Sequence, residues 1–350
     1  MSVKYTPVQW TNSKIFYDVI LAALVVAYIL VYLRIAPDFA GHAKPVDGAI
    51  LRARAFGTCA FLMLTAILCI GPLARLDRRF LPLLYNRRHF GVLTFLVALT
   101  HAFYVLNWYF NFSPTPRLPA LLGANTSYTQ ILGFPFETLG ILALLCLAIL
   151  ATTSHDFWLS FLTAPLWKSL HYLLYPAYAL LVGHIALGAL QAAEHPGLAV
   201  VVGMSVAMVC GLHVAAAATE TVQSKRAHAE GDWHLVGDLS EFEDGHARIA
   251  RLSNGQRVAV FRHAGALSAL SNACAHQNGP LGEGRIIDDC VTCPWHGFQY
   301  RLTDGCSPAP FTEKVPTYEL KIDGTRVFVN ANAHPAGTYM EPVQIPEAAA

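Results

Sequence analysis

A chain of 350 residues is long enough for two domains, and with 54% hydrophobic and 13% charged residues it lies well outside the soluble norm. A formal net charge of +1 leaves neither a basic surface nor an acidic tail, so a nucleic-acid partner is excluded. The apolar residues gather in the first two thirds in runs of about 20, each enough to cross a hydrocarbon core, and the last third reads as soluble.

Six spans are expected, at 15–36, 50–72, 89–110, 131–152, 168–190 and 198–219. The segment from Met1 to Lys14 carries Trp10 and polar residues rather than the charged start and cleavable apolar core of a signal peptide, so the first span is expected to be retained. Arg75, Arg78, Arg79, Arg87 and Arg88 place the loop between spans two and three in the cytoplasm, and an even span count puts both termini there. Lys4, Lys14, Lys168, Lys225 and Arg226 add to that side, while Arg34, Lys44, Arg52, Arg54 and Arg117 fall on the other. The connector at 111–130 holds Pro114, Pro116 and Pro119 and reads as turn-rich.

Thr219 to Gly231 is polar and reads as a linker leading out of the membrane, and a β-rich segment follows. Alternating or β-branched runs at 247–252, 257–261 and 326–329, broken by Asn254-Gly255 and Asp323-Gly324, predict strands joined by tight turns. The expected fold is therefore a membrane all-α six-helix bundle over 1–220, a linker at 221–231, a soluble, mostly β domain over 232–332, and a tail at 333–350.

Eight cysteines divide into Cys59, Cys69, Cys146 and Cys210 in or near apolar spans, read as small hydrophobes, and Cys274, Cys290, Cys293 and Cys306 in the soluble end. Ligand-like spacing belongs to the second group, as Cys274-Ala-His276, sixteen residues, then Cys293-Pro-Trp-His296. Two thiolates can hold one iron of a [2Fe-2S] cluster while two neutral imidazoles hold the other. Tetrahedral zinc also takes two Cys and two His, but zinc modules usually place like ligands together.

The runs CAHQNGPLGEGRI and CPWHGFQY resemble the Rieske family, above all the ferredoxin components of ring-hydroxylating oxygenases, over about the last hundred residues. The resemblance implies a [2Fe-2S] cluster on Cys274, His276, Cys293 and His296. Rieske proteins of cytochrome bc complexes add a disulfide, whose positions are Gly279 and Trp295 here, and a serine and a tyrosine that donate to the cluster. The serine position is Phe298 and the tyrosine is kept as Tyr300. Fewer donors imply a potential below that of the quinol-oxidising class. Cys290 and Cys306 match neither disulfide position and read as free thiols.

Ionisable residues inside spans are costly, which makes His101, His171, His184 and His213 functional candidates, with His89 at a span edge. Spans three and five run the same way, so His89 lies level with His171 and His101 with His184. Separations of 12 and 13 residues correspond to about 18–20 Å along a helix, room for one haem near each face. On an ideal helix, 13 residues set two side chains roughly 140° apart in projection, and Pro176 between His171 and His184 is a place to bend.

Arg87-Arg88-His89-Phe90-Gly91 leading to Leu99-Thr100-His101, with Leu170-His171 and His184, resembles the ferric-reductase-like transmembrane domain, most closely the haem-binding membrane subunit of the periplasmic methionine sulfoxide reductase system. That resemblance implies b-type haem, two in number, with His101, His171 and His184 at ligand positions. His89 follows from the level argument alone, and His213 is its rival as fourth ligand.

Ferric reductases of this superfamily carry a C-terminal flavin and nicotinamide domain where this chain has a Rieske-like one, and no dinucleotide-binding glycine fingerprint follows a strand. The combination implies electron transfer from a cytoplasmic donor protein, such as a reductase or ferredoxin, through the cluster and haems to an extracytoplasmic acceptor: a protein, a metal ion or a quinone. The expected location is a bacterial-type inner membrane, multi-pass, with the Rieske domain cytoplasmic. A quinone-linked oxidoreductase and a redox or haem sensor without turnover stay open as alternatives. A Rieske oxygenase would need a further domain with a mononuclear iron, for which too little chain follows Val329. No catalytic residue stands out, and whether the chain turns over substrate or serves an oxidoreductase as its electron-transfer subunit is open.

Overall fold

The structure is a computed structural model and describes residues 12–39, 47–84, 87–112, 114–154, 164–191, 193, 196–226, 229–276, 278–295 and 297–346. The chain forms two compact units, one made mostly of 10–214 and the other mostly of 215–350.

Six helices are long and apolar enough to cross a membrane: Ile15–Ile35, Gly48–Leu76, Arg87–Trp108, Phe136–Thr153, Ser169–Leu187 and Gly197–Thr219. They lie within α1 (Asn12–Phe39), α2 (Gly48–Leu76), α4 (Arg87–Phe112), α6 (Phe136–Thr153), the pair α7 (Ala164–His171) and α8 (Leu174–Leu187), and α9 (Gly197–Arg226). Short helices α3 (Leu81–Leu84) and α5 (Arg117–Leu122) sit in connectors. The expected six spans are present.

Helix α2 starts at Asp47, whose carboxylate accepts the Ala49 N–H at 2.7 Å, a side-chain cap for an otherwise orphaned donor. This helix is the centre of the bundle: 56% of its most apolar window is buried, against 28% or less for the others. Phe61, Leu64, Leu68 and Cys69 of α2 pack with Leu147 and Leu150 of α6, Ala177 and Tyr178 of α8, and Val202 and Val209 of α9. The Tyr178 ring stacks on Phe61, and its hydroxyl lies 3.2 Å from Thr65 Oγ1, so the buried polar tip is satisfied between helices. Phe16, Val19, Leu24 and Leu30 of α1 face outward, as befits a helix bordered by lipid.

Three span details differ from expectation. The fifth span is not one helix: α7 stops at His171 and α8 begins at Leu174. Pro176 lacks an N–H and its ring collides with a carbonyl four residues back, so it is accommodated in the first turn of a new helix. The fourth span begins at Phe136, because Gly133 takes φ +80° and Pro135 precedes the first turn. The sixth continues as α9 to Arg226, through part of the expected linker.

The second unit is built from antiparallel strands. One sheet has the order β1 (Ala229–Glu230), β2 (Trp233–Asp238), β11 (Arg326–Asn330), β10 (Leu320–Asp323). A second has the order β12 (Val343–Gln344), β5 (Ala266–Ser271), β4 (Arg257–His263), β3 (Ala247–Arg251), with β9 (Thr317–Tyr318) also on β5. A small third sheet orders β6 (Arg285–Ile287), β7 (Cys290–Thr292), β8 (Gln299–Arg301). The β3–β4 and β10–β11 hairpins turn through Gly255 at φ +82° and Gly324 at φ +61°, left-handed positions that glycine adopts without steric cost. Val258, Val260, Leu267, Val327 and Val329 form the core between the two larger sheets.

Residues 333–346, expected as a tail, belong to this unit. Val343 and Gln344 pair with Leu267 and Ala266, the Ile345 N–H donates to the Gly265 carbonyl at 3.0 Å, and the Ile345 side chain joins the core. Ending the chain after Asn332 is therefore expected to destabilise the β unit by about 3 kcal/mol, from one buried aliphatic side chain and a lost edge strand. Differential scanning calorimetry of the detergent-solubilised full chain, against the shortened one, measures it; equal midpoints would contradict the docking of 333–346.

Candidate metal centres

In the β unit, two six-residue loops fold alike. In the first, the Cys274 N–H donates to the Gly279 carbonyl at 2.9 Å and the Asn278 N–H to the Cys274 carbonyl at 2.7 Å. In the second, the Cys293 N–H donates to the Phe298 carbonyl at 2.7 Å and the Gly297 N–H to the Cys293 carbonyl at 2.9 Å. The fourth residue after each cysteine is left-handed, Asn278 at φ +56° and Gly297 at φ +74°, which closes each loop on itself. Loop one leaves β5 and is pinned by Asn272, whose Oδ1 accepts the Gly282 N–H at 2.7 Å; loop two joins β7 to β8.

Both cysteines are 1% exposed and share a core with Leu281, Val291, Phe298 and Tyr300. The Tyr300 hydroxyl lies 3.2 Å from Cys274 Sγ. Burial, and then the Cys274 sulfur beside it, hold the phenol far above its usual range, so it stays protonated and is placed to donate to a metal-bound Cys274 sulfur. Gly279 allows the loops to meet, since a Cβ there would come within 2.6 Å of Cys293 Sγ. Phe298, which the sequence offers only as a missing hydroxyl, stacks on the His276 imidazole at 4.1 Å and 16° and fixes its plane. His296 lies outside the described residues. None of the eight cysteines is disulfide-bonded. Two buried sulfurs, an oriented imidazole and a phenol donor suit an iron–sulfur cluster better than zinc, which needs no such donor to tune a potential.

Replacing Tyr300 with Phe removes one charge-assisted hydrogen bond, worth about 1.5–3 kcal/mol in total. The share that differs between redox states is expected to lower the cluster potential by roughly 50–100 mV at 59 mV per tenfold. An electron paramagnetic resonance (EPR) redox titration reads it, and an unshifted midpoint would remove Tyr300 from the site.

In the membrane unit the structure brings His101 and His184 together. Their ring centroids are 6.2 Å apart and the planes cross at 81°. Each Nδ1 lies against a backbone carbonyl, His101 against Ala53 at 2.8 Å and His184 against Phe136 at 2.9 Å, so Nε2 is the nitrogen left for a metal. With metal–imidazole bonds of about 2.0–2.1 Å and a ring centroid about 1.1 Å behind its nitrogen, two imidazoles on opposite sides of one iron have centroids about 6.3 Å apart. The observed centroid separation of 6.2 Å is close to that value.

The recorded contacts of the other candidates are separate. His171 closes α7 with Nδ1 3.0 Å from the Trp167 carbonyl and its ring stacked 3.7 Å from Trp167. His213 turns Nδ1 to the Val209 carbonyl, and its Nε2 lies 3.3 Å from the Tyr175 hydroxyl. His89 Nδ1 lies 2.7 Å from Asp18 Oδ2 of α1, a contact between spans that spacing within one helix cannot reveal.

Comparison with known proteins supplies the families. The ferric reductase like transmembrane component matches residues 56–182, and the Rieske [2Fe-2S] domain matches residues 232–319. The anthranilate 1,2-dioxygenase ferredoxin subunit of Burkholderia cepacia is 35% identical over 28% of this chain and 92% of its own length. The 3-phenylpropionate/cinnamic acid dioxygenase ferredoxin subunit of Shigella boydii is 31% identical over 27% of this chain and 87% of its own. Cholesterol 7-desaturase nvd 1 of Ciona intestinalis is 34% identical over 25% of this chain, which spans only 18% of that enzyme. Six membrane-crossing helices and the two family matches make this a multi-pass membrane protein with a redox role. The chain joins a ferric reductase like transmembrane component to a C-terminal domain that belongs to the Rieske [2Fe-2S] family.

Proposed function

We propose that this protein carries electrons across a bacterial-type inner membrane, from a cytoplasmic donor protein such as a reductase or ferredoxin to an acceptor on the far side. The observation that carries the reading is the close pair His101 and His184, 6.2 Å apart, in one chain with two cysteine loops of Rieske form. When bound, a [2Fe-2S] cluster and b-type haems supply one-electron carriers. Cys274 and Cys293 hold the cluster through buried sulfurs and His276 and His296 through imidazoles, while Tyr300 donates to Cys274 and Phe298 orients His276. In the membrane, His101 and His184 present Nε2 by giving up Nδ1 to backbone carbonyls. The arginines at 75, 78, 79, 87 and 88 support a cytoplasmic side for the loop between α2 and α4 and, with an even span count, for the soluble domain.

His171 is the ligand of a second haem on the cytoplasmic side, and His89 is favoured over His213 as its partner. A ligating imidazole typically gives its other nitrogen to a carboxylate or carbonyl, as His89 does to Asp18, whereas Tyr175 engages Nε2 of His213.

The test is an optical and EPR redox titration of the purified protein in detergent, with iron and haem quantified on the same sample. Two b-type haems and a Rieske signal are expected, the order of potentials giving the direction of flow. A Rieske signal without haem would reduce the membrane part to an anchor and overturn the proposal.

A further inference from the structure

The two neighbouring histidines, His101 and His184, are held by matched pieces of helix. His101 on α4 reaches the carbonyl of Ala53 on α2, and His184 on α8 reaches that of Phe136 on α6, each across 48 residues of chain. The pairs α2 with α4 and α6 with α8 are also the two most extensively packed in the membrane unit. One turn beyond each accepting carbonyl stands a glycine, Gly57 and Gly140. A Cβ at either would come within 2.8 Å of the imidazole Nδ1. Of the other glycines in these helices, a Cβ at Gly71 of α2 or Gly91 of α4 would meet nothing within 4 Å, and one at Gly48 or Gly183 would meet Arg52 at 3.4 Å or Leu139 at 3.2 Å rather than an imidazole.

We propose that Gly57 and Gly140 are positioning residues that set the spacing of the axial imidazoles. Each forms a cradle with the carbonyl one turn before it: the carbonyl fixes Nδ1, the bare Cα lets the ring lie flat against the helix, and Nε2 is turned toward the opposite imidazole. The inference rests on the reading of His101 and His184 as haem ligands.

An added methyl must either break the Nδ1–H···O bond or drive the ring forward by roughly half an ångström, and metal–ligand distances tolerate only about 0.2 Å. Both rings are already 6.2 Å apart, near the separation that one iron requires, so neither has slack. Small residues also serve general helix packing in membranes. That role predicts lost stability with an unchanged spectrum, whereas the cradle predicts a changed ligand field.

The experiment compares Gly57→Ala, Gly140→Ala and the control Gly71→Ala in the full chain, with the Rieske signal on each sample reporting intact folding. Gly57→Ala and Gly140→Ala are expected to shift the low-spin haem EPR signal or convert it to high spin, and to weaken haem retention by about 10–100-fold, the usual cost of disturbing a ligand's support. Gly71→Ala should match the parent. Parent-like low-spin spectra in both cradle variants would overturn the inference. If Gly57→Ala fails to accumulate, it is tested in the His101→Gly background, where the collision partner is gone. Accumulation should then return to the level of His101→Gly alone, and failure to do so counts against the cradle. Haem retained at parent level and spectrum in both His101→Ala and His184→Ala would instead defeat the underlying ligand reading.

Discussion

Replacing His184 with alanine is expected to abolish the low-spin haem signal between α4 and α8 while leaving the Rieske signal in place, and His101→Ala should do the same. The two ring centroids lie 6.2 Å apart and each Nδ1 is engaged by backbone, so removing either imidazole removes one of the two nitrogens placed for one iron. Six-coordinate low-spin iron requires both. The ferric reductase like match at 56–182 includes His101 but ends two residues before His184, so for His184 the resemblance of its surrounding motif and its 6.2 Å approach to His101 carry the nomination. His213→Ala should leave this signal untouched, because its imidazole belongs with Tyr175 of α8 and Val209 of its own helix. Haem per polypeptide, from the pyridine haemochrome, and low-temperature EPR on the same preparation measure the effect. A full low-spin signal in His184→Ala would sink the assignment.

Much of the β unit was legible because its signal is local. Each cysteine loop closes within six residues, so ligand types and spacing appear in one short run of sequence. The hairpins were legible for the same reason, through Asn254-Gly255 and Asp323-Gly324. The membrane histidines needed more. Apolar length locates a span, and counting from its ends pairs His101 with His184 by level, but nothing in that count reveals which carbonyl takes Nδ1. The projection of 13 residues assumes one straight helix through His171 and His184, and it does not apply here because the helix is interrupted at residues 172–173. The stacking of Phe298 on His276, the Asp18 contact of His89 and the docking of Ile345 are tertiary, each joining segments that share no periodicity.

Substituting Cys274 or Cys293 with alanine is expected to eliminate the Rieske EPR signal entirely and to destabilise the β unit. Both sulfurs are buried at 1% exposure in the core formed by Leu281, Val291, Phe298 and Tyr300, so the change removes a ligand and leaves a void at once. In Cys274→Ala the Tyr300 hydroxyl also loses its acceptor in a buried site, a cost of about 1–3 kcal/mol beyond the lost cluster. The remaining soluble cysteines provide the contrast. Cys290 sits in β7 with its thiol pushed up to about 11 by burial, so it is a neutral side chain at pH 8 and a poor replacement ligand. Cys306 lies outside both loops. Cys290→Ala and Cys306→Ala are therefore expected to keep iron and spectrum, and Cys290 to resist iodoacetamide at pH 8. Iron content and EPR of the four variants decide the matter: a cluster surviving Cys274→Ala, or lost in Cys306→Ala, would move the ligand set away from the two loops.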